Sequence, residues 1–258
     1  MTNRPRIVTM KWGTLFTAQE VNVLHRACRA NARQAFDFIC LTDDGAGLDP
    51  DIRVLPLPEI GLAPEEWYLP GVWPKLSLYM ADLHGLTGRC LFIDLDMMIL
   101  RDLDAFLDHP APFVTINVGR SWYPKAPLAP PEAGTGIFAF DLGQQTQILD
   151  AFLRDRAAAR RAFRNEQDFA AAHASSMDHW PCGWVISFKR WLRRPVGLDL
   201  LLPPKAPPET AKVLAFHGDP RPAALLRGGV NFWDRLPHMG HGRVGWAADY
   251  WRRYGGTL

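Results

Sequence analysis

An apolar run that ends in two carboxylates, at residues 90–96, restricts the folds open to this chain. The run is Cys-Leu-Phe-Ile-Asp-Leu-Asp, and its carboxylates are Asp94 and Asp96. The apolar part predicts a buried strand, and a buried carboxylate without a partner is costly. Side chains two residues apart on an extended segment point to the same side, so both carboxylates can face one cation. We therefore expect the strand to end at an edge of the fold where positive charge is bound.

The segments before this run alternate between strand and helix patterns. Residues 7–10, 36–41 and 52–57 predict strands. Thr17 and Glu20 form a capping-box pattern that begins a helix, and an apolar stripe at 76–83 predicts a second helix. Such alternation predicts an α/β fold in which helices cover both faces of a largely parallel sheet. Ligands bind these sheets at the carboxyl ends of strands, and the two carboxylates occupy such an end.

The second part of the chain has shorter patterns. Strands are predicted at 113–116, 136–140 and 213–216, and helices at 103–107, at 144–163 and after Asn165. Asp102 is the expected cap of the first of these helices, and we leave Asp102 and Asp104 out of the site. The proline-rich connectors at 124–131 and 203–208 are too short to require a domain boundary. We predict one domain that spans residues 1–258.

Composition excludes several classes of protein. The 258 residues are 48% apolar, and their 29 basic and 27 acidic side chains give a net charge of +2, which does not favour a nucleic-acid partner. The cysteines are scattered along the sequence, at Cys28, Cys40, Cys90 and Cys182, so we expect them to be reduced thiols. No stretch has the length and apolarity of a membrane span, and the N-terminus has no signal-peptide pattern. We expect a cytoplasmic protein.

A series of short motifs, in order along residues 7–222, resembles one family of enzymes. The motifs include Lys11-Trp12-Gly13, Cys40-Leu41-Thr42-Asp43-Asp44, Trp73-Pro74-Lys75-Leu76, Phe92-Ile93-Asp94-Leu95-Asp96, Asn165-Glu166-Gln167-Asp168 and Phe216-His217-Gly218. The series resembles a bacterial group related to family-8 glycosyltransferases, which use nucleotide-sugar donors on a GT-A fold. The resemblance implies a three-layer αβα sandwich with a mostly parallel central sheet. It divides the single domain into a nucleotide-binding half at 1–105 that ends in the DxD motif, a donor-sugar and acceptor half at 106–222, and a C-terminal extension at 223–258.

The resemblance assigns the DxD carboxylates to a metal site. The implied ligands of one divalent ion are Asp94, Asp96 and His217, and an imidazole nitrogen favours Mn²⁺ over Mg²⁺. The implied donor-binding residues are Lys11, Trp12, Gly13, Lys75, Leu95, Gly134, Thr135 and Arg221. The implied reaction is metal-dependent transfer of a sugar from a nucleoside diphosphate, expected to be UDP, to a saccharide or lipid-linked glycan, as in polysaccharide biosynthesis.

Gln167 and Asp168 match the segment that faces the donor sugar in this family. They are the implied catalytic residues, which stabilise an oxocarbenium-like centre or orient the acceptor if the anomeric configuration is retained, as the resemblance implies. Structural roles also fit the residues themselves. Asp168 can serve the cap of its own helix, His217 can be a core histidine, and Lys75 can be a solvated charge.

Two other functions stay open at this point. Phosphohydrolases of the haloacid-dehalogenase type also carry Asp-x-Asp after an apolar strand. They have Thr or Val where this chain has Met98, and they place the motif near the start of the domain. A sugar-nucleotide or glycan-binding module without turnover needs the same donor contacts.

The C-terminal segment has an aromatic and basic character. Trp246, Tyr250 and Tyr254 share one face of a predicted helix, with Arg252 and Arg253 beside them. That face either packs on the protein core or forms a peripheral contact with the inner face of the cytoplasmic membrane.

Overall fold

The structure, a computed structural model, describes residues 4–122, 130–228, 230–232, 239–241 and 243–258. Most of the predicted loop at 124–131 lies outside these residues. The strands are β1 (Arg6–Lys11), β2 (Asp37–Thr42), β3 (Arg53–Leu55), β4 (Arg89–Ile93), β5 (Met97–Ile99), β6 (Phe113–Asn117), β7 (Ala133–Asp141), β8 (Asp178–His179), β9 (Val185–Ser187), β10 (Val213–Ala215), β11 (Val230–Phe232) and β12 (Met239–His241). The α-helices are α1 (Ala18–Asn31), α2 (Asp104–Leu107), α3 (Val118–Trp122), α4 (Thr146–Arg154), α5 (Arg156–Ala162), α6 (Glu166–His173) and α7 (Gly245–Arg253).

Seven strands of the described chain form the central sheet, in the order β3-β2-β1-β4-β7-β6-β8. β1 pairs in parallel with β2 and β4, whereas β7 is antiparallel to both of its neighbours. Alternate side chains of β4 enter different cores: Leu91 and Ile93 pack in the core that contains α1, and Cys90 and Phe92 pack in the core that contains α4 and α6. The predicted layered α/β fold with a mostly parallel sheet is confirmed.

A smaller sheet lies at the carboxyl end of β4. In it, β10 pairs antiparallel with β5 and parallel with β9. Ala215 is opposite Met97, and the backbone N–H of Phe216 donates to the carbonyl oxygen of Asp96 at 3.1 Å. The chain after β10 therefore passes beside the DxD motif, although the two segments are more than a hundred residues apart in sequence.

The prediction of one continuous helix at 144–163 is wrong. The segment consists of α4 and α5, which Asp155 separates. The Asp155 side chain accepts a hydrogen bond from the backbone N–H of Ala158 at 2.8 Å and so caps α5. A side chain that caps a new helix ends the preceding one, because its own backbone leaves the helical conformation.

The predicted helix at 76–83 is a 3₁₀ helix at Trp73–Tyr79. All seven of its residues are buried, including Lys75. Residues three apart are aligned on a 3₁₀ helix, so Leu76 and Tyr79 still share one face. Packing of the whole segment against the sheet, rather than its own helical propensity, determines its conformation.

The predicted cap at Asp102 is also wrong. Asp102 has a positive φ of 24° and pairs with the ammonium of Lys212. Asp104, at the start of α2, instead binds the chain after α1. Its carboxylate accepts from the backbone N–H groups of Arg33 at 3.1 Å and Gln34 at 3.2 Å, and from Nε of Arg33 at 3.0 Å.

The aromatic face of α7 packs on the protein. The backbone N–H of Ile99 donates to the Tyr250 hydroxyl at 3.0 Å, and the Asn31 amide donates to the Tyr254 hydroxyl at 3.0 Å. Trp251 and Tyr254 are buried. The packing interpretation is therefore correct for the aromatic side chains of this face. No helix in the described part of the chain is long and apolar enough to cross a membrane.

We predict that Asp104→Asn lowers the free energy of unfolding at neutral pH by about 1–2 kcal/mol, because a neutral amide replaces a buried carboxylate that accepts from two backbone donors and a guanidinium. Burial acts to raise the pKa of Asp104, but these hydrogen bonds outweigh burial and lower the pKa overall. Chemical denaturation of the two proteins measures the difference.

The pH dependence of that difference has a defined sign. A carboxyl with a lowered folded-state pKa stabilises the protein fully above its unfolded pKa of about 3.9 and loses this contribution as the pH falls through the folded value. Wild type and Asp104→Asn should therefore converge in acid. Asp150→Asn, at an exposed position of α4, is the matched control and should change stability by less than about 0.5 kcal/mol. Equal effects of the two substitutions would contradict the role of Asp104.

Candidate active site

A cleft with two lobes opens at the carboxyl ends of β1 and β4. The larger lobe has a volume of about 620 Å³ and the smaller one about 350 Å³. The residues that line both lobes are Gly71, Val72, Asp94, Asp96 and Gly218. The DxD carboxylates therefore lie where the two lobes meet.

Backbone hydrogen bonds fix the DxD motif between the two sheets. The N–H of Asp94 donates to the carbonyl oxygen of Gly136 in β7 at 2.8 Å, and the N–H of Met97 donates to the Asp94 carbonyl oxygen at 3.3 Å. The Asp96 carbonyl oxygen accepts from the end of β10, as described above. Each carboxylate thus starts from a constrained backbone position and faces the cleft.

Lys75 is a buried cation beside the first carboxylate. Its Nζ lies 2.7 Å from Oδ2 of Asp94 and 3.5 Å from Oε1 of the buried Glu166. The Thr135 hydroxyl donates to the same Oε1 at 2.6 Å. Burial acts to lower the pKa of Lys75, but the two carboxylates outweigh burial and raise it. Lys75 is therefore charged, and the interpretation of Lys75 as a solvated charge is wrong.

One oxygen of Asp96 is buried and has no hydrogen-bond partner among the described residues, namely Oδ1. Burial, and next the repulsion from Asp94, raise the pKa of Asp96 to about 8, against the opposing attraction of Lys75 and Arg221. Buried polar atoms in proteins are almost always satisfied. An unsatisfied carboxylate oxygen beside a second carboxylate is suited to bind a cation.

His217 lies at the wall of the smaller lobe, next to this pair. Its Nε2 is 2.7 Å from the hydroxyl oxygen of Ser187, and Trp122 stacks on the imidazole with ring centroids 4.2 Å apart. Burial, and then the charges of Lys189 and Arg190, lower the pKa of His217 to about 4. The imidazole is therefore neutral near pH 7, as a metal ligand has to be.

The three predicted metal ligands line one lobe, but by themselves they do not form a complete coordination site. Within the described ranges, no three His, Cys, Asp or Glu side chains are arranged to hold a metal ion. Asp94, Asp96 and His217 nevertheless offer carboxylate oxygens and a neutral nitrogen, which Mn²⁺ and Mg²⁺ accept, and one of these oxygens is unsatisfied. The residues fit a divalent ion whose coordination is completed by other oxygen donors.

The larger lobe has aromatic walls. Nε1 of Trp12 donates to the Trp67 carbonyl oxygen at 3.1 Å, and the two rings meet edge to face. The guanidinium of Arg221 lies 5.2 Å from the ring centre of Phe16. Leu95 lines this lobe between the two carboxylates. Aromatic rings and one cation suit a planar, anionic ligand.

Lys11 and Gly13 support the larger lobe without lining it. Nζ of Lys11 donates to the Asp44 carbonyl oxygen at 3.1 Å, and the Gly13 N–H donates to the Asp43 carboxylate at 2.8 Å. Gly13 has a φ of 61°, and a Cβ there would lie 2.9 Å from the Tyr68 ring. These two residues shape the loop between β1 and α1.

The smaller lobe contains three of the other predicted residues. Gly134, Thr135 and Gln167 line it. Asp168 does not, because its carboxylate is bound by Nε of Arg164 at 2.7 Å. Of the two predicted catalytic residues, the structure brings only Gln167 to the cleft.

Several cleft residues are not predicted by the sequence patterns. Glu166 belongs to the Asn165–Asp168 motif, to which the resemblance assigns no role for it, and only the structure pairs it with Lys75. Trp67, Tyr68, Trp122 and Ser187 belong to segments without a helix or strand pattern strong enough to place them. A cluster of aromatic residues before the proline-glycine pair at 70–71 was the one available signal for the first two.

Comparison with solved structures identifies the fold. The galactosyltransferase LgtC, solved with donor and acceptor sugar analogues, matches 97% of this chain and 95% of its own, with a TM-score of 0.58 and 12% identity. The glycosyltransferase GlyE of Streptococcus pneumoniae TIGR4 matches 97% of this chain with a TM-score of 0.56 and 9% identity. The bifunctional glycosyltransferase WbbM matches all of this chain with a TM-score of 0.61 and 12% identity.

These similarities are structural. No protein-family model and no curated protein matches the sequence. The chain spans 60% of the length of GlyE and half of the length of WbbM. The fold is the GT-A fold of these glycosyltransferases, and the predicted resemblance is confirmed at that level.

We predict that Lys75→Met lowers the free energy of unfolding by about 3–5 kcal/mol, because it leaves Asp94 and the buried Glu166 without their shared cation. Adding Glu166→Gln to Lys75→Met should recover part of the loss, since one uncompensated carboxylate is then removed. Urea denaturation of the single and double variants provides the comparison.

Lys205→Met serves as the control for this prediction, because Lys205 is exposed. Its effect should stay within about 0.5 kcal/mol. If Lys75→Met is no more destabilising than Lys205→Met, Lys75 is not the counterion that holds this cluster.

Proposed function

We propose that this protein is a metal-dependent glycosyltransferase that moves a sugar from a nucleoside diphosphate, UDP by our expectation, to a hydroxyl of a saccharide or glycolipid. The observation that carries the proposal is the unsatisfied Oδ1 of Asp96, beside Asp94, at the junction of the two lobes. The GT-A fold supports it, because the solved structures with this fold are glycosyltransferases, and one of them was crystallised with sugar analogues.

The two lobes suit the two ends of such a donor. The aromatic walls formed by Trp12, Phe16 and Trp67 suit the base and ribose. The smaller lobe, where Gly134 and Gln167 face the cavity, suits the sugar. A molecule that fills both lobes has to place its diphosphate over the DxD motif.

Transfer breaks the bond between the anomeric carbon and the diphosphate oxygen, which leaves with the electron pair, and forms a bond from that carbon to the acceptor oxygen. The proton of the acceptor hydroxyl passes to the leaving diphosphate. When bound by Asp94, Asp96 and His217, Mn²⁺ or Mg²⁺ supplies positive charge that stabilises the leaving diphosphate. Arg221, in the larger lobe, adds a guanidinium that can pair with a phosphate. Lys75 is bound to Asp94 and holds that carboxylate in place.

Gln167 is the residue that we assign to the reacting centre. Gln167 lines the smaller lobe, and an amide there can stabilise positive charge near the anomeric carbon or orient the acceptor. Asp168, paired with Arg164, would have to break that ion pair to take part. We propose retention of the anomeric configuration, as the family resemblance implies.

The phosphohydrolase alternative fits the geometry less well. Phosphohydrolases of this type have Thr or Val where this chain has Met98. The motif also follows β4 and not the first strand. A binding module without turnover shares the cleft, and only a measurement of reaction separates it from an enzyme.

We predict that one UDP-sugar from a panel of nucleotide sugars, together with Mn²⁺, raises the melting temperature and is slowly hydrolysed in the absence of an acceptor. Asp96→Asn should lower the hydrolysis rate by roughly 100-fold or more, because it removes a charged ligand of the ion. Asp150→Asn, the exposed control, should behave as wild type.

Three results would overturn the proposal in different ways. If UDP raises the melting temperature equally with and without metal, and equally in wild type and Asp96→Asn, donor binding does not depend on a metal. Metal-dependent donor binding without hydrolysis, and without transfer to any of a panel of acceptors, would indicate a binding module. Release of phosphate from an aryl phosphate that Asp94→Asn abolishes would indicate a phosphohydrolase.

A further inference from the structure

Residues 193–205, which we call the leucine loop, expose four large apolar side chains within seven residues. Leu201 is 74% exposed, Val196 56%, Leu198 47% and Leu202 44%. Single exposed apolar residues are common, but a group of this size on one segment usually marks a contact surface. The cleft residues are not part of this group.

Internal hydrogen bonds hold the leucine loop in shape. The Leu198 carbonyl oxygen accepts from the N–H groups of Leu201 at 3.1 Å and Leu202 at 2.9 Å. The buried Asp199 accepts from the Gly197 N–H at 2.9 Å, and Nε of Arg194 donates to the Pro203 carbonyl oxygen at 3.1 Å. The apolar side chains are thus presented outward by a fixed backbone.

The sequence that includes and leads into the leucine loop is strongly basic. From residue 189 to residue 205 the basic side chains are Lys189, Arg190, Arg193, Arg194 and Lys205, and the single acidic side chain is Asp199. Asp199 is buried under the loop, whereas Arg190 and Lys205 are exposed. An apolar tip with a basic rim complements a surface that is anionic outside and apolar inside.

Composition favours a lipid surface over a protein partner. Protein interfaces draw most of their binding energy from Trp, Tyr and Arg anchors in pockets, and Leu and Val are under-represented among these anchors. The exposed large side chains of the tip are only Leu, Val and Pro. Peripheral membrane contacts combine apolar side chains that enter the acyl boundary with Lys and Arg at the headgroups.

The segment that leads into the leucine loop lies beside the cleft. A π-helical turn at Phe188–Leu192 leads into it from Ser187, whose hydroxyl contacts His217. Nζ of Lys189 would lie 3.8 Å from a Cβ placed on Gly218, a residue that lines both lobes. The leucine loop is therefore joined directly to a segment that contacts the cleft wall.

We propose that the leucine loop docks this protein on an anionic lipid surface, next to an acceptor carried by that surface. The evidence for docking comes from the leucine loop alone. The identification of the acceptor as lipid-linked rests in addition on the proposed transferase function. This contact replaces the predicted membrane contact of α7, whose aromatic face is packed on the core.

The test is flotation of the full chain with vesicles of equal parts phosphatidylglycerol and phosphatidylcholine, and with vesicles of phosphatidylcholine alone. The wild type should float with the anionic vesicles, less so at high salt and hardly with the neutral ones. Leu201→Ser/Leu202→Ser should reduce the partition coefficient roughly tenfold or more, because two apolar side chains are removed from the acyl boundary.

The control is Val54→Ser/Leu153→Ser, which changes two other exposed apolar side chains, at 45% and 42% exposure, far from the loop in sequence. It should float as wild type does, and the two double variants should have equal melting temperatures. Equal flotation of wild type and Leu201→Ser/Leu202→Ser, or no flotation of the wild type, would refute docking by this loop. So would light scattering that shows a wild-type dimer and a monomeric loop variant, because the loop would then bind a second copy.

Donor hydrolysis separates a failure of this inference from a failure of the proposed function. Hydrolysis of the donor in solution without vesicles should be the same for wild type and both double variants. If hydrolysis is present and flotation is absent, only the docking is wrong. If flotation depends on the loop but no donor is hydrolysed, only the transferase proposal is wrong.

Discussion

The Lys75 ammonium lies 2.7 Å from the Asp94 carboxylate and 3.5 Å from the Glu166 carboxylate, with almost no access to solvent. Its three-way contact joins a 3₁₀ helix, the end of β4 and the start of α6, which are far apart in sequence. A charge at this depth requires partners, and its partners require it, so the three elements cannot separate without exposing an uncompensated charge. The arrangement of the cleft depends on this cluster.

The same cluster separates the roles of the two DxD carboxylates. Asp94 has a permanent counterion in the protein, whereas Asp96 has one oxygen that the described residues leave unsatisfied. The charge at the junction of the lobes is thus balanced in part by the fold and in part by whatever the cleft binds. His217, held by Ser187 and Trp122, is neutral and adds a donor atom without adding charge.

Local sequence patterns correctly predicted α1 and the strands in the first part of the chain. The capping box of Thr17 and Glu20 begins α1 as expected, and the strands before the DxD motif lie within a few residues of their predicted positions. The errors occurred where a side chain had two possible partners. Asp155 caps a second helix inside a predicted single one, and Asp102 pairs with Lys212 and not with the helix next to it. The few residues that a local pattern covers do not determine which of the two partners such a side chain binds.

The sequence by itself determined the layered α/β fold, the DxD motif at a strand end, and the set of polar residues from which the cleft is built. Alternation of strands and helices and the cost of buried charge are both readable along the chain. The tertiary structure decided which of those residues meet: Glu166 with Lys75, Ser187 with His217, and Asp168 with Arg164 away from the cleft. It also showed that the aromatic face of α7 is packed and that the leucine loop is exposed. Burial and pairing depend on distances between segments that are remote in sequence, and local patterns contain no measure of those distances.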